Sequence, residues 1–130
     1  MNCLSANCKK QVMHTLVLGA STNPDRASNK AVQMLVERKH QVTAIGVRDG
    51  EIHGISIQKG MPDVSDVHTV TLYLNPQRQE AFYDYILGLK PQRIIFNPGT
   101  ENAVFVNLAK ENGIETEVAC SLVMLTLGSY

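Results

Sequence analysis

The chain has 130 residues, 44% hydrophobic and 18% charged, with 12 basic and 12 acidic side chains for a formal net charge of +0. That length suits one domain around a single core, and the balanced charge excludes the broad basic footprint of a nucleic-acid-binding protein. No apolar run approaches the roughly 20 residues that span a bilayer, and no secretory pattern precedes the first apolar segment, so the expected location is cytoplasmic, with no membrane partner.

Residues 1–10 are polar and carry Lys9, Lys10 and two of the three cysteines, Cys3 and Cys8. Their number and spacing suit neither a disulfide framework nor a zinc site. Residues 1–13 are expected to be a poorly ordered leader to a single domain over residues 14–130. That domain opens on His14-Thr-Leu-Val-Leu-Gly-Ala-Ser-Thr-Asn-Pro24. An apolar strand at 15–18 ends in glycine, a loop of small residues follows, and Ser28 is the expected N-cap of a helix over residues 29–39. Strand, tight loop and helix in that order bring phosphate to a helix N-terminus. The spacing imitates the dinucleotide fingerprint G-x-G-x-x-G as Gly19-x-Ser21-x-x-Pro24, with two of the three glycines replaced. Gly19 lets the chain turn off the strand, and Gly19, Ala20 and Ser21 are expected to hold their backbone N–H groups open to a phosphate. Asn23 and Pro24 complete this cofactor-binding loop, and Arg26 and Lys30 flank it as candidate phosphate-neutralising cations.

The second strand, 42–45, runs into Gly46-Val47-Arg48. A classical NAD site places an acid near this point to hold the ribose hydroxyls. Arg48 instead offers a fork of donors, which suits a phosphorylated ribose and so NADP or coenzyme A. Asp49-Gly50 is a turn signal, and the alternation from Glu51 to Ile57 predicts a small hairpin or meander, with a short helix or turn near 62–66. The third strand, 69–74, meets Asn75-Pro76, a cap residue followed by proline at the first helical position. The helix after it places Ala81, Phe82, Tyr85, Ile86 and Leu89 at helical spacing, and Gly88 is its expected stop. The fourth strand, 93–96, leads through Asn97-Pro98-Gly99 to a helix over 101–112 ended by Gly113. A fifth strand at 114–118, then Cys120 and a short closing helix at 121–127, complete the chain.

Alternating strands and helices of this kind predict an α/β domain. The expected fold is a Rossmann-like open, mostly parallel five-stranded sheet of order 3-2-1-4-5 with helices on both faces. Ligands bind such sheets at the carboxyl ends of the strands. Val47, Arg48, Leu74, Asn75, Pro76, Asn97 and Gly99 are therefore candidates for the pocket wall. Glu101 and Asn102 stand at a helix start without a partner acid or base. Cys120 is a small hydrophobe or, beside a helix start, a reactive thiol. His14, His40, His53 and His68 are scattered and read as surface or strand-edge residues. The chain has no nucleophile elbow, zinc-protease helix or Walker lysine, so no catalytic or metal constellation is expected.

Several of these segments are specific together: Val17-Leu-Gly-Ala-Ser-Thr-Asn-Pro-Asp-Arg26, Ser28-Asn-Lys30, Thr71-Leu-Tyr-Leu-Asn-Pro76, Phe96-Asn-Pro-Gly-Thr-Glu-Asn102, and Asn112-Gly-Ile114 followed by Cys120. With them the chain resembles the small single-domain CoA-binding proteins of bacteria, similar in fold to the N-terminal nucleotide-binding domain of the succinyl-CoA synthetase α subunit. The resemblance runs from residue 15 to the C-terminus. It implies that coenzyme A lies across the strand ends, its diphosphate at Gly19, Ala20 and Ser21 and its adenosine near Val47 and Arg48. Leu74, Asn75 and Pro76 would pack on the nucleotide. Many relatives carry Pro-Val-Asn after the second strand, where this chain has Ile45-Gly-Val-Arg48. The synthetase's phosphohistidine lies in a domain outside the resemblance, so that reaction is not implied. The expected function is non-catalytic binding of coenzyme A or an acyl-CoA. The alternative is an NADP-dependent reductase, with Tyr73 as proton donor, or another dinucleotide-binding protein. A third reading is an interaction protein whose pocket has decayed. The apolar tail, residues 122–127, would cover the core or a second subunit, which leaves a homodimer or a partner enzyme subunit open.

Overall fold

Runs of valine, isoleucine and leucine that do not alternate with polar residues must be buried on both faces, and such strands form the middle of the sheet. The computed structural model describes residues 13–130. The expected leader, Met13 apart, therefore falls outside the described residues, as do Cys3 and Cys8. Met13 itself donates its N–H to His40 Nδ1 at 3.0 Å. Strands β1 (Thr15–Leu18), β2 (Val42–Ile45), β3 (Gly50–Ile52), β4 (Ile55–Gln58), β5 (Thr69–Leu72), β6 (Arg93–Phe96) and β7 (Glu115–Val118) make one sheet in the order β3-β4-β2-β1-β5-β6-β7. All pairings are parallel except the β3–β4 hairpin.

This corrects the expected sheet. It has seven strands rather than five. The expected third strand, β5, lies on the other side of β1 from β2. The place assigned to it beside β2 is taken by β4, the second arm of the hairpin predicted after Asp49-Gly50. The reversal of winding at β1 survives. After β4 the chain crosses back to β5, so a crevice opens between the ends of β1 and β5 where the winding changes direction.

The strand period of two divides the core. Leu16, Leu18, Ile45, Val70, Leu72, Ile94 and Phe96 face one helical layer; Val17, Ala44 and Ile57 face the other. The first layer is α2 (Pro76–Gln79), a 3₁₀ turn (Glu80–Phe82), α3 (Tyr83–Leu89) and α4 (Ala103–Glu111), which contribute Ile86, Phe105 and Ala109. The second is α1 (Ala27–Glu37) and α5 (Ser121–Leu127), which contribute Val32, Leu35 and Leu125. The expected closing helix thus covers the core with Met124 and Leu125, and leaves Val123 and Leu127 exposed. None of the described helices is long and apolar enough to cross a membrane.

Several helix ends differ from expectation. Asn75 caps α2 as expected, accepting from the Arg78 N–H; α4 begins two residues later than expected, and Asn102 rather than Asn97 caps it, accepting from the Phe105 N–H. Ser28 does not cap α1; Arg26 holds that position without a side-chain bond, and Ser28 is buried inside the first turn. Gly88 does not stop α3, which ends at Lys90 with φ 53°. Neither the short helix nor the turn expected at 62–66 forms. His14 is not a surface residue: it is buried, with Nε2 2.8 Å from Thr43 Oγ1 and Nδ1 3.1 Å from the Ser65 carbonyl. Arg93 is buried too, at the amino ends of the strands, where it bonds Thr69 Oγ1, Glu117 and the Tyr130 main-chain oxygen.

Candidate functional site

The carboxyl ends of β1, β2, β4 and β5 enclose a cleft of about 810 Å³. Two glycines make room for it. Gly19 has φ 101°, and a Cβ there would lie 3.0 Å from the Tyr73 carbonyl carbon, so only glycine lets β1 leave the sheet against the end of β5. A Cβ on Gly46 would overlap the carbonyl oxygen of Ala20, so the chain after β2 backs directly onto the loop after β1.

The loop itself departs from the expected pattern of open amides. The N–H groups of Gly19 and Ala20 both donate to the Ile45 carbonyl, at 2.8 and 2.9 Å. They tie the loop to β2 and are not open. Asn23 N–H donates to Ser21 Oγ, Asp25 N–H to Asn23 Oδ1, and Arg26 N–H to the Asn23 carbonyl. In the loop after β1 and the start of α1, the N–H groups of Ser21, Thr22, Ala27 and Ser28 on the cleft lining have no acceptor among the described residues. The last two open α1, where unpaired N–H groups and the helix dipole favour an anion. Asn29 braces this arrangement from below. It is buried, its Nδ2 donates to the Ser21 carbonyl at 2.9 Å, and its Oδ1 accepts from Gln33 at 2.7 Å.

The charged lining is one-sided. Arg26, Arg48, Lys59 and Arg78 border the cleft, with no Asp, Glu, His or Cys among the described lining residues. Arg48 and Lys59 stand at the β2–β4 side, Arg26 at the start of α1, and Arg78 beyond the crevice on α2. Lys59 pairs at 3.5 Å with Asp49, both largely exposed, so that pair holds little energy in water.

Of the residues expected to bind a cofactor, Gly19, Ala20, Ser21, Asn23, Arg26, Val47, Arg48 and Leu74 line the cleft. The other six lie outside it. Pro24 and Lys30 are exposed, the latter on the outer side of α1. Asn75 and Pro76 begin α2 as cap and first residue. Gly99 sits in an exposed turn with its N–H bonded to Glu101 Oε1 at 2.8 Å. Asn97 is buried and fully committed within the fold: Nδ2 donates to Thr71 Oγ1 at 2.6 Å and to the Leu72 carbonyl at 2.9 Å, and Oδ1 accepts from Ser121 N–H at 2.8 Å. Cys120 is the N-cap residue of α5 and half-buried.

Sequence reasoning missed Thr22, Ala27, Gly46, Lys59, Gly60, Arg78 and Phe82 on the wall. Lys59 and Gly60 directly follow β4, so their place depended on the unforeseen position of that strand. Tyr73 lines the cleft near Gly19, but its hydroxyl is buried without a hydrogen-bond partner. Burial pushes its ionisation up to about 12, only partly offset by the nearby hydroxyls of Ser121 and Thr71.

The sequence model of a CoA binding domain family matches residues 13–126. The fold recurs in solved structures. An uncharacterized protein shares 43% identity at a TM-score of 0.89, over 92% of this chain and 99% of its own. A protein of Thermus thermophilus shares 21% identity at a TM-score of 0.81, over 100% of both chains. A hypothetical protein of Pyrococcus horikoshii shares 19% identity at a TM-score of 0.77, over 90% of this chain and 84% of its own. The last two likenesses bear on fold alone. Among curated proteins none matches the chain significantly.

Proposed function

The chain belongs to the CoA binding domain family, and on that premise we propose that it binds coenzyme A or an acyl-CoA in the cleft at the switch point, without transforming it. The observation that carries this reading is that the unpaired N–H groups of Ser21, Thr22, Ala27 and Ser28 and the cations Arg26, Arg48, Lys59 and Arg78 border one cleft whose described lining holds no carboxylate. The diphosphate sits against Ser21, Thr22 and the first turn of α1, with Arg26 beside it. The adenosine lies over Val47 and Gly46, and Arg48 and Lys59 meet its 3′-phosphate. This places the diphosphate two to three residues later in the loop than the resemblance implies, because Ile45 already occupies the Gly19 and Ala20 amides. The role that goes with such binding is an acyl-CoA carrier, sensor or partner subunit.

An NADP-dependent reductase needs a proton donor facing the nicotinamide. Tyr73 does not supply one, since its hydroxyl is buried and shows no surface to a ligand in the cleft.

Thermal unfolding with added ligands tests the proposal. At 100 times its dissociation constant a ligand adds about 2.7 kcal/mol, which in a domain of this size raises Tm by roughly 5–15 °C. Coenzyme A is expected to do so, dephospho-CoA and NAD less. No shift with coenzyme A or acetyl-CoA at millimolar concentration, or a larger shift with NADP, would contradict it.

A further inference from the structure

β7 ends the sheet and leaves one side of its own backbone without a partner among the described residues. The Glu115 N–H donates to the Gln92 carbonyl at 3.0 Å and the Ala119 N–H to the Phe96 carbonyl at 3.1 Å, so residues 115, 117 and 119 turn their main-chain groups to β6. Thr116 and Val118 turn theirs outward. Natural sheet edges are blunted by proline, lysine, a bulge, a charge turned inward or a covering segment. β7 reads Glu-Thr-Glu-Val and pairs with β6 residue for residue, so it has no proline, lysine or bulge. Its inward charge, Glu117, is neutralised by Arg93 at 3.1 Å. Val118 is 66% exposed, and no described segment covers it.

The edge is also apolar on one face. Glu117 and Arg93 lie on the face covered by α1 and α5, so by alternation Thr116 and Val118 lie on the face covered by α4. Asn102, at the start of α4, bonds Gln79 and the Tyr83 hydroxyl, which turns that flank of the helix to α2 and α3. At 3.6 residues per turn, Val104 and Leu108 fall on the opposite flank and face the β7 edge. Val104 is 61% exposed.

We propose that this edge is the interface of a two-fold dimer, in which β7 pairs antiparallel with β7 of a second copy and joins the two sheets into one. The charges choose the register. Since the outward groups of Thr116 and Val118 must pair, the axis falls at residue 116, 117 or 118. An axis at 116 sets Glu115 against the partner's Glu117, and an axis at 117 sets the two Glu117 side chains against each other. Like charges directly opposite are destabilising. An axis at 118 opposes no like charges: Val118 meets the partner's Val118, Glu117 the partner's Ala119, and Thr116 the partner's Cys120. Cys120 is already extended, with φ −103° and ψ 115°. In this register the α4 layers of both copies lie on the same side, and Val104 meets the partner's Val104 above the valine pair. The edge is thus self-complementary, as a two-fold interface requires.

Sedimentation equilibrium on the full chain tests this. The wild-type protein is expected to sediment as a dimer. Thr116→Pro removes an outward N–H and keeps every bond to β6, and Val118→Lys sets two ammonium groups on the axis. Each is expected to raise the dimer dissociation constant about tenfold or more. Val118→Cys under mild oxidation should give a dimer linked through residue 118, because Cα atoms about 5.5 Å apart suit a disulfide. Peptide mass spectrometry identifies the link, and circular dichroism reports whether each variant folds. If Thr116→Pro fails to fold, the lysine and cysteine variants decide. A wild-type chain that stays monomeric at millimolar concentration would overturn the proposal. So would a dimer that Val118→Lys does not weaken and that Val118→Cys does not link through residue 118, since its interface would lie elsewhere.

Discussion

Replacing Asn97 separates a structural role from a place in the ligand wall. Its side chain makes three buried bonds, to Thr71 Oγ1, the Leu72 carbonyl and the Ser121 N–H. Ser121 is 0% exposed, so in Asn97→Ala its N–H loses its acceptor where no water reaches. An orphaned buried donor costs about 1–3 kcal/mol, and the two lost bonds from Nδ2 add about 1 kcal/mol each. The expected loss is about 3–5 kcal/mol, or a fall in Tm of roughly 10–20 °C for a chain of this length. Asn97→Asp keeps the acceptor for Ser121 but turns an oxygen toward Thr71 and Leu72 in place of the donor. Burial and those oxygens favour the protonated acid, so its folded-state pKa lies above its unfolded value. By linkage this variant gains stability as pH falls through the folded value and loses it as pH rises, relative to wild type. Scanning calorimetry between pH 4 and about 8, with coenzyme A titrated separately, reads both effects. A Tm within about 3 °C of wild type for Asn97→Ala, with CoA affinity lost, would refute the reasoning and return Asn97 to the wall.

Tyr73→Phe removes a buried hydroxyl that has no partner, so Tm should hold or rise, and absorbance titration should lose an ionisation near 12. Because that value is raised in the fold, the wild-type protein loses stability relative to Tyr73→Phe as pH rises from the ordinary phenol value of about 10 toward about 12, and shows no such pH dependence below about 10. An unchanged titration curve would show that Tyr73 ionises with the other tyrosines. Gly46→Ala forces a methyl group against the Ala20 carbonyl. The cost should be about 1–3 kcal/mol, with the CoA-dependent rise in Tm reduced as the loop moves; a normal rise would mean that loop and β2 need not touch. Arg48→Glu should abolish any preference for coenzyme A over dephospho-CoA, and a retained preference would move the 3′-phosphate elsewhere.

The strands were legible because the central ones are buried on both faces and read as unbroken apolar runs: β1, β2 and β6 lie where the residues place them. The sheet order was not, since nothing local in residues 69–74 records on which side of β1 they pair. The hairpin was visible as a turn, but its docking beside β2 is a parallel pairing of Ala44 with Ile57 that no local pattern encodes. The N-cap of α1 was misread for a similar reason. Ser28 has the chemistry of a cap but is small enough to be buried, and Asn29 beside it is drawn to the Ser21 carbonyl. The candidate loop was found from its glycine and small residues. Which of its amides stay open depended on Ile45, distant in sequence, and so could only be seen in the fold. Arg78 and Lys59 escaped notice because strand order alone brings them to one cleft.

Backbone amide NMR during titration with coenzyme A addresses the diphosphate cradle most directly. The N–H signals of Ser21, Thr22, Ala27 and Ser28 should move downfield together and saturate at one ligand per chain, while Gly19 and Ala20, already bonded to Ile45, move less. If those four signals stay in place while coenzyme A binds, the phosphates lie elsewhere on the molecule and the account of the cleft is wrong.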